Sequence, residues 1–294
     1  MVSLPAPRTP RHPAIEMWID ADFVQKLALV VGAVMLMLAL LAPLIAPFEP
    51  TAQSLLARLR PPLGFEGARP GYLLGTDELG RDILSRSLHG LRLTLTLALL
   101  GATLGLLIGG ALGVLAGVAR GRVEASVMGA VDAQIAVPFT LIALFLLTIL
   151  GNSLSVMVLV LGLAGWEQYA RIMRAEVRRL MALPFIEAAR CAGASPLRIA
   201  ARHLLPNLVS PLVVQFTLSL SNIILLESTL SFLGLGVQPP TATLGAMVGV
   251  GRDYMPTAPW IVLVPAFLIL AVTFAVQILG DWLRDRADVR LRSR

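Results

Sequence analysis

The chain has 294 residues, of which 56% are apolar and 14% charged, with a mean hydropathy of +0.80. Soluble domains carry about 25% charged residues, so a soluble globular protein is excluded, and uncharged runs of the ~20 residues that cross a bilayer core make this an integral membrane protein. The excess of 24 basic over 18 acidic residues reads as the positive-inside bias of cytoplasmic loops rather than as nucleic-acid binding, and the single Cys191 excludes an internal disulfide or a cysteine-rich metal site.

In chain order, residues 1–26 read as a cytoplasmic tail with prolines and mixed charge. Leu27 to Phe48 is uncharged, too long for a signal-peptide core, and gives span 1. Residues 49–92 turn polar and form an extracytoplasmic segment that leads into the membrane, containing Gly75-Thr76-Asp77-Glu78-Leu79-Gly80-Arg81-Asp82. Leu93 to Ala119 is span 2. Its glycines at 101, 105, 109, 113 and 117 recur every four residues and offer a smooth face to another helix. After the basic turn at 120–124, the stretch Ala125 to Trp166 carries one charge, Asp132, and the Gly151-Asn152-Ser153 turn divides it into span 3 and span 4. Span 4 runs from Leu154 to Trp166, with the option of continuing as helix to Leu180.

Residues 167–206 hold seven arginines and form a cytoplasmic loop. Leu204 to Leu226 is span 5. Gly234, Gly236, Pro239 and Pro240 break the next apolar stretch, so 228–259 is an extracytoplasmic loop. Trp260 to Gly280 is span 6, with Trp260 and Trp282 expected as interfacial anchors, and 281–294 is a cytoplasmic tail. The five-span core is thus 93–280. With six spans and an inside N-terminus, 17 basic residues fall inside and 7 outside, which favours this orientation.

The only lysine, Lys26, follows Val24-Gln25, so no P-loop is present, and any ATP use belongs to a partner. His12, His89 and His203 all lie outside the spans, and no zinc helix or serine elbow occurs. No enzyme active site is found. Ionisable groups within spans are costly and point to function, which makes Asp132 and Glu227, with Asn222 of span 5, the candidate pathway residues. Asp132 is equally placed to pair with Arg120 or Arg122, and Glu227 to sit in the outer interface.

The loop around 170–207 is the richest segment. Leu183-Pro184 sets proline in a first helical turn, and Glu187 follows where the helix dipole favours an acid. Ala188 and Ala189 give a small-residue surface, Gly193 ends the helix, and Ser195-Pro196 starts the next. Leu205-Pro206 closes the loop. The result is a short helix, a glycine joint and a second helix, shaped to dock into a groove of another protein.

Glu187-Ala188-Ala189, Gly193 and Leu205-Pro206 resemble the cytoplasmic "EAA" loop of bacterial ATP-binding-cassette importer permeases. His203 stands where the general pattern has isoleucine, as in the version found in peptide and nickel importers. Gly75 to Asp82, Leu230 to Gly236 with Pro239-Pro240, and Leu279-Gly280-Asp281-Trp282-Leu283-Arg284-Asp285 also resemble the C-type permease subunit of that family. The resemblance implies an all-α membrane protein of type I importer architecture, with six transmembrane helices and both termini cytoplasmic, in the bacterial inner membrane. It implies import of dipeptides or oligopeptides by alternating access, with nickel or glutathione as alternative cargo. The partners implied are a homologous B-type permease subunit, two ATP-binding subunits that hold the ATP, an extracytoplasmic solute-binding protein and membrane lipid. The coupling contact to the ATPase would use Glu187, Ala188, Ala189, Gly193, Ser195, Pro196, His203, Leu205 and Pro206, and the chain itself needs no cofactor. A proton-coupled secondary transporter is the alternative of a different class, for which a docking loop has no use.

Overall fold

The computed structural model describes residues 22–287, so the outer parts of both tails, 1–21 and 288–294, lie outside the described residues. Helices account for all the regular structure within them, apart from an isolated antiparallel bridge between Thr76 and Asp82. Helix α1 covers Phe23–Ile45. The Asp22 N–H donates to Gln25 Oε1 at 3.0 Å at its start, and the chain leaves helical geometry at Ala46, just before Pro47. Phe48 stacks on Tyr72 with ring centroids 4.8 Å apart, fastening the segment that follows.

Helix α2, Ile83–Ala119, is 37 residues long, about 55 Å at 1.5 Å per residue. It begins ten residues before the expected span because Asp82 caps it. Asp82 Oδ2 accepts from both the N–H and the hydroxyl of Ser85, each at 2.7 Å. Its glycine stripe does what the spacing implies. A Cβ on Gly101 would lie 2.7 Å from Leu161 Cβ, one on Gly113 would lie 2.5 Å from the Ala170 carbonyl oxygen, and one on Gly117 would lie 2.7 Å from Val177 Cβ. The partner positions rise with the glycine numbers, so the two chain segments run parallel.

That partner is a broken pair, α5 (Leu154–Leu163) and α6 (Trp166–Met181), interrupted at Ala164-Gly165. The option of helix running on past Trp166 is therefore the one adopted, and Glu167 to Met181 is helix rather than loop. Between α2 and α5 lie α3 (Gly121–Ile135) and α4 (Phe139–Leu150), which meet at 89°. Pro138 lacks an N–H and biases Val137 away from helical backbone, which sets the bend.

A short helix α7 (Pro184–Cys191) and a single turn α8 (Pro196–Ile199) follow. The chain then passes through a widened turn, 200–204, directly into α9 (Leu205–Phe232). Leu205-Pro206 therefore does not close the loop. The Leu205 N–H reaches back five residues to Ala200 O, and this widening accommodates the proline ring, which in an ordinary α-turn would clash with the carbonyl four residues earlier. Helices α10 (Leu244–Gly251) and α11 (Trp260–Ala287) complete the fold.

Helix α2 is central, with α5 and α6 on its glycine face and α9 and α1 on others, while α11 packs on α9 and α1. Leu91, Leu97, Leu147, Leu161, Ile224 and Val272 join in the main buried cluster. Outward, Met37, Leu40 and Leu44 of α1, Phe145 of α4, and Phe267 and Leu270 of α11 are exposed, an apolar exterior that only lipid or protein can cover. Helices α1, α2, 200–232 and α11 are long and apolar enough to cross a membrane, and α3 with α4 forms a fifth span if the bent pair is counted as one.

The two tryptophans that bracket the apolar run of α11 both make contacts within the protein. Trp260 donates its indole N–H to the Thr76 carbonyl at 3.1 Å. Trp282 is 5% exposed, with the Arg286 guanidinium 4.6 Å above its ring.

Candidate functional site

Helix α7 exists because Pro184 stands in its first turn and Ile186 anchors it. Ile186 is fully buried among Met173, Val177 and Leu180 of α6 and Leu204 and Leu208 at the base of α9. Gly193 ends α7 at φ +78°. Its N–H donates to Arg190 O at 2.9 Å, and the Ala194 N–H donates to Ala189 O at 3.0 Å, the paired bonds of a Schellman cap. The Ser195 hydroxyl then accepts the Arg198 N–H at 3.3 Å, where α8 begins at Pro196.

The opposite face of this elbow is open. Glu187, Ala188 and Gly193 are exposed and Ala189 is half-buried. Among the described residues Glu187 makes no hydrogen bond or ion pair, so it does not cap its own loop. Leu205 and Pro206 are exposed, and Phe185 packs on His203 with ring centroids 6.0 Å apart. Of the residues the sequence singles out here, Glu187, Ala188, Gly193, Ser195, Leu205 and Pro206 are exposed, while Ala189 and His203 are half-buried.

The three pathway candidates are not brought together. Asp132 is 71% exposed at the side chain and pairs with Arg171 at 3.0 Å, neither Arg120 nor Arg122 being its partner. Asn222 is exposed on α9. Glu227 faces the interior of the protein. It is fully buried, accepting from Thr94 Oγ1 at 3.2 Å and from Ser231 Oγ at 2.7 Å.

Two polar groupings escaped the sequence reading. Gln134, near the α3–α4 bend, donates to Leu163 O at 2.8 Å and to Glu167 Oε2 at 2.9 Å, and accepts the Trp166 indole N–H at 2.6 Å. Glu124 of α3 holds Arg174 and Arg178 of α6 in ion pairs. Together they tie the bent pair to the broken pair. The signal for α6 was present in the alternation of Tyr169, Met173, Val177 and Leu180 with arginines at helical spacing.

The motif at 75–82 is a compact ionic knot. Asp77 Oδ1 accepts the N–H groups of Leu79 and Arg81, both at 2.9 Å, while Oδ2 takes Arg81 Nε at 2.6 Å. Arg81 also pairs with Glu78 at 2.6 Å.

The described residues form an all-helical chain with several helices long and apolar enough to cross a membrane, the class of a multi-pass membrane protein. The family described as binding-protein-dependent transport system inner membrane component matches residues 109–289. The dipeptide transport system permease protein DppC of Haemophilus influenzae is 36% identical over 99% of this chain and 100% of its own length. Its Escherichia coli K12 namesake is 40% identical over 99% and 97%, and the di/tripeptide permease DppC of Pseudomonas aeruginosa is 39% identical over 87% and 84%. Among solved structures, an inward-facing MetNI methionine ABC transporter chain superposes with a TM-score of 0.54 at 22% identity, covering 69% of this chain and 96% of that one.

The chain belongs to the binding-protein-dependent transport system inner membrane component family. It is a multi-pass inner-membrane permease subunit of an ATP-binding-cassette importer, which sets aside the secondary-transporter alternative.

Proposed function

We propose that this chain is the C-type half of a peptide permease and pairs with a homologous B-type subunit, two ATP-binding subunits and an extracytoplasmic solute-binding protein. The observation that carries the cargo is the full-length similarity to DppC permeases of dipeptide systems. Nickel and glutathione remain as competitors to be tested.

In this reading α1, α2, the bent pair α3–α4, the broken pair α5–α6, α9 and α11 are six spans, and residues 1–26 and 281–294 are cytoplasmic. The parallel course of α2 and α5–α6 supports the count, because two parallel crossings need one crossing between them. The excess of arginine in 167–206 supports the orientation. Residues 49–92 and 228–259 then face outward.

The protrusion of Glu187, Ala188, Ala189 and Gly193, framed by Ser195, Pro196, His203, Leu205 and Pro206, is the contact with an ATP-binding subunit. Its free carboxylate and small side chains support that role, since a bare helix face seats closely in a groove. ATP-driven closure of the ATPase pair moves this elbow, and α7 passes the motion through Ile186 to α6 and α9. Asn222, exposed on α9, is the pathway candidate the geometry favours. Asp132 serves as an ion-pair partner and Glu227 as a buried tie.

The test is uptake of a labelled dipeptide by proteoliposomes holding the assembled transporter, with unlabelled competitors added in excess. Competition by di- and tripeptides, and none by nickel or glutathione, supports the cargo. Competition by nickel or glutathione alone overturns it.

A further inference from the structure

Arg86, in the first turn of α2, is 7% exposed, and its Nε and Nη1 have no hydrogen-bond acceptor. Arg86 Nε forms an ion pair with Asp77 Oδ2 at 3.3 Å, an oxygen it shares with Arg81 Nε at 2.6 Å. The guanidinium is thus buried with its hydrogen-bonding capacity incompletely used, which is costly.

Arg86 lines a cavity of about 450 Å³ between the chain after α1, the start of α2 and loop 240–242. Every ionisable residue that lines it is basic: Arg86, His89 and Arg92. They stand three apart, on one face of the helix. Arg92 is exposed and has no ion pair among the described residues. His89 Nδ1 lies 3.0 Å from Ser85 O, which leaves Nε2 free for a ligand. Below the basic row the wall continues with Leu93 and Thr96, and Leu93 begins the charge-free run of α2. The row therefore sits where hydrocarbon gives way to headgroups.

We propose that this cavity binds the phosphodiester of an anionic phospholipid, with Arg86, His89 and Arg92 on the phosphate and the acyl chains descending past Leu93 and Thr96. Guanidinium forks match phosphate oxygens in geometry and charge, and basic residues at a membrane surface draw anionic lipid. Two guanidiniums and an imidazole line the cavity and no acid does, so it favours an anion. The proposal rests on the reading of α2 as a span and is independent of the cargo.

The experiment is native mass spectrometry of the assembled, delipidated transporter titrated with phosphatidylglycerol, with sn-glycerol 3-phosphate as the soluble phosphoester. The expected result is one saturable phosphatidylglycerol site per copy of this chain, weakened about fivefold by Arg92→Gln and further by Arg86→Gln, with the soluble phosphoester failing to compete. Arg92 is exposed, so its variant keeps the test valid if Arg86→Gln does not fold. Unchanged lipid affinity in Arg92→Gln overturns the proposal. Equal binding of the soluble phosphoester overturns the lipid as source, and weakened capture of the solute-binding protein with unaltered lipid binding assigns the row to protein docking instead. Dipeptide uptake by the wild-type preparation checks the importer reading separately, so failure of one is not mistaken for failure of the other.

Discussion

Thr94 on α2 donates its hydroxyl to Glu227 on α9 at 3.2 Å and, with the same oxygen, accepts the N–H of Leu244 at the start of α10 at 3.3 Å. Thr94 and Glu227 are both fully buried, so three elements meet at one hydroxyl. Glu227→Ala strands the Thr94 and Ser231 hydroxyls without their acceptor and is expected to cost about 2–3 kcal/mol. Glu227→Gln keeps an acceptor oxygen and is expected to lose about half as much. Thermal inactivation of the detergent-solubilised complex, compared across the two variants, checks the order. Equal stability of all three proteins would remove Glu227 from the packing role.

The glycine ridge of α2 gives a sharper contrast. At Gly113 a Cβ would meet the Ala170 carbonyl oxygen at 2.5 Å, whereas at Gly129, a helical glycine of α3, nothing lies within 4 Å. Gly113→Leu should drive α6 off α2 and abolish recovery of folded complex, because overpacking of a rigid backbone contact has no flexible side chain to absorb it. Gly129→Ala should be neutral or stabilise by up to about 1 kcal/mol. Yield and melting of the purified complex distinguish the two.

Gly193 has open space around it but a φ of +78°. A substitution there acts through backbone strain and not through a clash. Gly193→Val is expected to strain the elbow by about 1–2 kcal/mol or more, while Gly193→Asn, which tolerates the left-handed region, retains most transport. Rates of ATP-dependent uptake, normalised to membrane-inserted protein, measure this. Equal rates for Val and Asn would mean that the cap geometry does not matter for coupling.

Cys191 is the single cysteine of the chain and is exposed at the end of α7. A short bifunctional thiol reagent should therefore attach this chain to an ATP-binding subunit carrying an introduced cysteine at its permease-facing groove. The adduct is read on a denaturing gel, and Cys191→Ser should abolish it.

Much of the membrane plan was legible because hydrocarbon demands long uncharged runs, and the glycine period announced a close-packed face. The elbow was legible as well, since Pro184, Gly193 and Ser195 each carry a local conformational meaning. What was not legible depended on contacts far apart in sequence. Gln134 meets Trp166 and Glu167 across more than thirty residues, and no local pattern encodes that meeting. Glu167 looked like the start of a basic loop because seven arginines follow it, yet those of α6 occupy one face of a helix whose other face packs on α2. The burial of Arg86 became visible only once Asp77 was seen to be shared between it and Arg81.

The most direct measurement is uptake of a labelled dipeptide into proteoliposomes of the assembled transporter, with ATP supplied to the ATPase side or withheld, in the presence of a protonophore, for wild type and Glu187→Arg. Wild-type uptake is expected to require ATP and ignore the protonophore, and Glu187→Arg to assemble but transport at least about tenfold more slowly, because a cation replaces the free carboxylate at the contact. Uptake that proceeds without ATP and collapses with the protonophore would show that this chain is not driven by an ATPase partner.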